Sequence, residues 1–204
     1  MKCVLLIWSV LHSFISVAQE QKKLYYENGS LKAIGIEKNG TKSGIWKFYY
    51  PSGVLSSEEI YNENQLDGMV TYFDDHGNLI AHEQWTRGIQ EDSSTYYYAN
   101  GQQEKKGIFK DGVYEGLWLF FYENGNLKRE GYYENGLPDG MWKFYNDQGT
   151  LIQEGYFDNG LEEGEWKFYD NEGNLEFYGR FSQGEKTGDW FMINKKGKVK
   201  PYKY

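Results

Sequence analysis

The chain has 204 residues, a formal charge of −8 and 39% hydrophobic content, a charge balance that sets the whole molecule against nucleic-acid phosphates and anionic headgroups. Its 25 glycines, 19 tyrosines and only 3 prolines argue against a disordered linker. With 19% aromatic residues it has rings enough to fold around, despite a mean hydropathy of −0.78.

Residues 1–18 form a class of their own. Lys2 opens them, an apolar run follows from Cys3 to Val17, and Ser16 and Ala18 stand at the −3 and −1 positions of a cleavage site before Gln19. The pattern predicts a secretory signal peptide. A membrane anchor fits less well, because Ser9, His12, Ser13 and Ser16 break a run already short of the roughly 20 apolar residues a span needs. Cys3 sits at the wrong end for a lipoprotein signal. The mature chain from Gln19 to Tyr204, read as one domain, then holds no cysteine, and its expected location is periplasmic, cell-surface or extracellular in a bacterium. No later apolar run approaches membrane length, so no stable membrane insertion is expected after cleavage.

Beyond Gln19 the sequence repeats with a period of 24 residues. Glycines at 44, 68, 116, 140, 164 and 188 share one phase, with Asp92 in the remaining place. Two residues after each come Trp46, Val70, Ser94, Trp118, Trp142, Trp166 and Trp190, followed by aromatic pairs such as Phe48 with Tyr49 and Phe144 with Tyr145. A turn glycine recurs at 29, 53, 77, 101, 125, 149, 173 and 197, then an apolar anchor such as Leu55 or Leu127, then an aromatic such as Tyr61 or Tyr133, then a second turn glycine. One period is two strands and two turns.

The fold expected is all-β: an elongated antiparallel β-meander of tandem hairpins in a single twisted, curved sheet, seven to eight units long. At about 4.8 Å per strand such a body is on the order of 70 Å long. Period-2 alternation places Trp46, Phe48 and Tyr50 on one face. A four-residue loop sets Tyr50 against Leu55, Phe48 against Ser57 and Trp46 against Glu59. The same register sets Trp118, Trp142 and Trp166 against Gly131, Gly155 and Gly179, where a bare glycine lets an indole lie across the backbone. The other face carries Lys47, Lys143, Lys167, Glu58 and Ser56 with tyrosines between. At the end of the array Lys195, Lys196, Lys198, Lys200 and Lys203 follow with no acidic residue among them, a composition that blunts a sheet edge.

The Gly-x-Trp-x-Phe-Tyr and Asn-Gly units, as in Gly140-Met141-Trp142-Lys143-Phe144-Tyr145, resemble the variant MORN repeats of bacterial proteins, the class labelled YwqK-family antitoxins. The resemblance runs from about Leu24 to Tyr202 and implies an interaction scaffold that is not an enzyme. The second and third units depart from it: Val70 and Ser94 replace Trp, Asp92 replaces Gly and Gln103 replaces Leu. Regular stacking is therefore expected to fail between Gln65 and Gly107, opening a notch flanked by Trp85, Tyr96, Tyr97 and Tyr98.

Catalytic constellations are missing from the sequence. His76 belongs to the turn Asp74-Asp75-His76-Gly77-Asn78, His82 is a lone strand histidine, and carboxylates such as Glu162, Glu163 and Glu165 recur with the turns and read as solvated charge. Calcium spacing is incomplete at Asp170-Asn171-Glu172-Gly173-Asn174. No metal or other cofactor is expected. The reading is a non-enzymatic, exported scaffold that binds an unknown protein through its aromatic face, with Trp46, Trp85, Tyr96, Tyr98, Trp118, Trp142, Trp166 and Trp190 as candidate contacts. The alternatives are a module for cell-wall glycan, whose sugars would stack on exposed rings, and an antitoxin-like protein that neutralises a partner. Nucleic acid is not an expected partner.

Overall fold

The computed structural model describes residues 19–194 and 196–203; the leader expected at 1–18 lies outside them. Each unit contributes a leading strand, which in five of the eight carries the Gly-x-Trp signature, and a return strand that opens at the apolar-anchor position. The leading strands are Gln19–Tyr25, Thr41–Tyr49, Gly68–Phe73, Asp92–Tyr97, Val113–Phe121, Leu137–Tyr145, Leu161–Tyr169 and Glu185–Ile193. The return strands are Leu31–Lys38, Leu55–Asn62, Leu79–Thr86, Gln103–Lys110, Leu127–Glu134, Leu151–Asp158, Leu175–Ser182 and Val199–Tyr202. Two-residue pieces, Gln65–Leu66 and Ile89–Gln90, precede the Gly68 and Asp92 strands, cut off where Asp67 and Glu91 interrupt the ladder. Strands pair antiparallel with their sequence neighbours, giving one open meander.

Both turns are set by backbone chemistry. At the first, Tyr50 N–H donates to the Val54 carbonyl at 2.8 Å and Gly53 N–H to the Tyr50 carbonyl at 2.8 Å, with Gly53 at φ +89°, a region that favours glycine. At the second, Asn135 and Gly136 hold φ +51° and +82°, the two positive angles that a tight hairpin matching strand twist demands.

The register sets Phe48 against Ser57, Trp46 against Glu59, and Trp118, Trp142 and Trp166 against Gly131, Gly155 and Gly179, as the period implies. Tyr50, however, does not pair with Leu55; Tyr49 does. Tyr50 is consumed in closing the turn, so Ser56 bulges, and the same shift recurs at Phe73, Phe121, Tyr145 and Tyr169. A second irregularity explains the signature glycine. Gly131 pairs with Trp142 and Tyr132 with Asp139, leaving Gly140 in a bulge at φ +83°. Two bulges per unit strengthen the twist of a sheet that has only one layer.

Candidate functional site

Trp46, Trp118, Trp142, Trp166 and Trp190 are the core, between 0% and 3% exposed, in a molecule with a single sheet. Each indole lies flat across the glycine of the preceding return strand: Gly35 under Trp46, Gly107 under Trp118, Gly131 under Trp142, Gly155 under Trp166 and Gly179 under Trp190. A Cβ on any of these glycines would overlap the indole. The expected cover, Trp118 across Gly131 and so on, has the register right and the direction of lean reversed. Leaning back lets four of the ring N–H groups reach the carbonyl one residue past the glycine: Trp46 donates to Ile36 at 3.0 Å, Trp118 to Ile108 at 3.0 Å, Trp142 to Tyr132 at 3.1 Å and Trp166 to Tyr156 at 3.2 Å.

Aromatic edges close the remaining sides. Phe109, Tyr133, Phe157 and Phe181 meet Trp118, Trp142, Trp166 and Trp190 edge to face, with centroids 5.1 to 5.2 Å apart. Tyr114 stacks on Trp118 at 3.8 Å, while Lys42 and Lys186 lie over Trp46 and Trp190 at 5.0 and 4.5 Å. In this arrangement the five indoles have no free face to offer a ligand.

The two rungs of the ladder without Trp are filled differently. Where the ladder has glycine they carry Glu59 and Glu83, and where it has Trp they carry Val70 and Ser94, each buried. Glu59 accepts hydrogen bonds from the hydroxyls of Ser57 at 2.7 Å and Tyr61 at 2.5 Å. Glu83 accepts from the Trp85 indole at 3.1 Å and the Tyr96 hydroxyl at 2.8 Å, and Gln90 donates to Ser94 and to Tyr96. Candidates Trp85 and Tyr96 are thus half-buried members of a polar network that occupies the expected notch. Burial, with the Glu83 and Glu59 carboxylates nearby, pushes the Tyr72 hydroxyl up to about 12, and burial raises Tyr61 and Tyr96 further. Neither Glu59, expected only as the strand partner of Trp46, nor Glu83 was among the candidate residues, although each lies on the return strand just before a leading strand that lacks Trp.

Tyr98 works at the sheet margin. Its hydroxyl donates to the Phe121 carbonyl of the next unit at 2.8 Å, as Tyr26, Tyr50 and Tyr122 do to Tyr49, Phe73 and Tyr145. Where that position is Asp74, Asn146 or Asp170, the side chain instead accepts backbone N–H groups of its own turn. Ligand atoms of Asp74, Asp75 and His76 come within 4.8 Å of one another, yet Asp74 is committed to the Asn78 side-chain amide and to the Asn78 and His76 backbone N–H groups, which hold its carboxyl below the usual range. At the opposite margin the carboxylates taken for solvated charge have partners twenty residues on. Glu115, Asp139 and Glu163 accept the N–H of Asn135, Asn159 and Gln183, the positive-φ residues of the following turns.

The face opposite the Trp ladder is the open one. Ile45 (52% exposed) pairs with Ile60, Leu117 (41%) with Tyr132 (53%), and Met141 (50%) with Tyr156 (45%), with Ile108 beside them at 48%. Beside this stripe runs a polar row in which Lys47 pairs with Glu58 at 3.1 Å and the Tyr145 and Tyr169 hydroxyls donate to Glu130 and Glu154 at 2.8 and 2.7 Å. Partial burial, with those carboxylates adding to it, pushes Tyr145 and Tyr169 up to about 12.

Residues 42–63, 114–135, 138–159 and 162–183 match the MORN repeat variant, all four in one phase of the 24-residue period, and the span between 63 and 114 contains the two irregular units. The chain is a MORN-repeat protein of the variant type. No curated protein matches it. Among solved structures it is similar to the crystal structure of TcdB2-TccC3 without hypervariable C-terminal region, at 14% identity and a TM-score of 0.20, over 86% of this chain and 13% of that one. It is also similar to TcdB2-TccC3-Cdc42, at 13% identity and 0.18, over 90% and 14%. The chain therefore spans a small fraction of either, and likeness at that level carries no argument about function.

Proposed function

We propose that this protein is a non-enzymatic interaction scaffold, exported by its leader, which engages a protein partner through the face opposite its Trp ladder. The observation that carries the reading is the stripe Ile108, Leu117, Tyr132, Met141 and Tyr156, each between 41% and 53% exposed on a rigid sheet. Exposed apolar and tyrosine side chains rimmed by paired charges have the make-up of a protein interface. The repeats supply a long, stiff platform, the usual basis of recognition by solenoid and meander proteins. Tyr132 and Tyr156 are also the exposed rings open to a sugar, which keeps the glycan alternative attached to the same surface.

The test is capture from envelope extract by the immobilised chain and by Leu117→Glu/Met141→Glu, which places charges on the stripe and leaves the ladder intact. The reading expects a discrete partner held by the parent, lost by the double variant, with unfolding midpoints that agree. Equal capture by both, or retention on peptidoglycan alone, would remove it. Export is checked separately by the mass of the protein recovered outside the cytoplasm, expected to begin at Gln19.

A further inference from the structure

On the ladder face, one position per unit stands beside the ring that follows Trp. Reading along the first seven return strands it is Ala33, Ser57, Ala81, Lys105, Arg129, Gln153 and Phe177. The two cations are adjacent, and they flank one ring, since Lys105 and Arg129 are the cross-strand neighbours of Phe120 on its two sides. Both are only partly exposed.

The Arg129 guanidinium lies 4.1 Å from the Phe120 centroid and 6.0 Å from that of Trp142, and its Nε is buried without a hydrogen-bond partner. Lys105 donates to the Tyr114 hydroxyl at 2.8 Å and stands 4.4 Å from the Tyr96 ring. Among the described residues neither cation has a carboxylate within ion-pair distance, although the chain holds 30 acidic residues to 22 basic. A half-buried cation that has lost hydration and gained no counter-charge is costly, and rings offset only part of that cost. The pair borders a hollow of about 270 Å³ with an aromatic floor, Lys128 on its wall, and Tyr98 and Glu104 at its rim.

We infer that this hollow is a receptor for a carboxylate, carried by an acidic side chain of a polypeptide segment laid across the ladder face. The guanidinium fork suits a carboxylate's two oxygens, with Lys105 and Lys128 adding charge at closer range than the molecule's net −8 opposes it. The volume admits one side chain, and Glu104 turns away anything carrying several charges. The site lies on the other face from the exposed stripe, so either can fail without the other.

The test uses the full chain and a dye-labelled peptide, Gly-Ser-Phe-Glu-Phe-Ser-Gly, with its Gln-for-Glu counterpart, followed by fluorescence polarisation. Inorganic phosphate and an oligogalacturonate serve as competing anions. Saturable binding of the Glu peptide is expected, at least tenfold weaker for the Gln peptide and for Arg129→Met, and unchanged for Lys23→Met on the remote first strand. Arg129→Met should unfold at the parent's urea midpoint or above it, since it deletes an uncompensated charge; a lowered midpoint would mark the residue as structural and overturn the assignment. Equal binding of the two peptides, binding of phosphate or the sugar acid in place of the peptide, or no binding would overturn it as well.

Discussion

The Trp ladder rests on a pairing that two units have exchanged for another, and that exchange can be transplanted. Gly131 lies against Trp142 with no space for a Cβ, while Glu59 and Val70 fill the corresponding places on the Leu55–Asn62 and Gly68–Phe73 strands. Gly131→Glu alone forces a side chain into the indole, which cannot retreat because its N–H is held by the Tyr132 carbonyl and its face by Tyr133. Overpacking of that kind costs roughly 1–3 kcal/mol or more. Trp142→Val alone empties a site 2% exposed and costs about 3–5 kcal/mol, the range for truncating a buried Trp. In the double variant the carboxylate stem occupies the vacated volume, so the two costs should fall short of adding by about 1–3 kcal/mol, the range seen for residues in contact. Its acid would meet the Arg129 guanidinium where Glu59 meets the Ser57 hydroxyl, with Tyr133 repeating Tyr61, so it gains a charged partner in place of a neutral one. Urea unfolding followed by circular dichroism measures all three. Strict additivity would refute the idea that Glu and Val replace Gly and Trp as a unit.

Three further outcomes follow from the margins and the polar network. Tyr122→Phe removes the hydroxyl that ties its turn to the Tyr145 carbonyl and should lower stability by about 1 kcal/mol, with faster amide exchange near residue 125 as the local sign. Asp139→Ala leaves the Asn159 N–H without its acceptor and should cost about 0.5–1.5 kcal/mol in the same assay, whereas a solvated charge would cost nothing. Tyr72, Tyr145 and Tyr169, raised to about 12 from an ordinary value of 10.0, hold their protons more tightly folded than unfolded. Their contribution is therefore complete below pH 10 and is lost as pH rises toward 12, so the urea midpoint should start to fall near pH 10. Absorbance at about 295 nm showing every tyrosine ionised with an unshifted value of about 10 would contradict this.

Much of the architecture was legible because the period never slips. An unbroken 24-residue spacing fixes which residues face each other, and the expected pairs Trp118 with Gly131 and Trp166 with Gly179 are found. The tilt of each ring was not legible. Gly131 has Trp118 in register on one side and Trp142 on the other, and only the indole N–H reaching Tyr132 decides between them. Glu115, Asp139 and Glu163 read as solvated because their partners lie twenty residues away across a strand pair. The exposed stripe was hidden by the bulges, since Leu117 and Met141 follow a positive-φ glycine where strict alternation is interrupted. Among the candidate contacts the five ladder Trp residues are core, and Trp85, Tyr96 and Tyr98 belong to hydrogen-bonded networks. Lys105 and Arg129 carry a sequence signal visible only when one position is compared through the first seven return strands.

The division of the sheet into a closed ladder face and an open stripe can be read in one experiment, hydroxyl-radical footprinting of the folded chain resolved by mass spectrometry. Met69, Met141, Tyr132 and Tyr156, each 45% to 53% exposed, should be modified early, while Trp46, Trp118, Trp142, Trp166 and Trp190 stay protected until the chain unfolds. Rapid oxidation of those five tryptophans in the folded protein would contradict the account, because it would show the ladder to be a surface instead of a core.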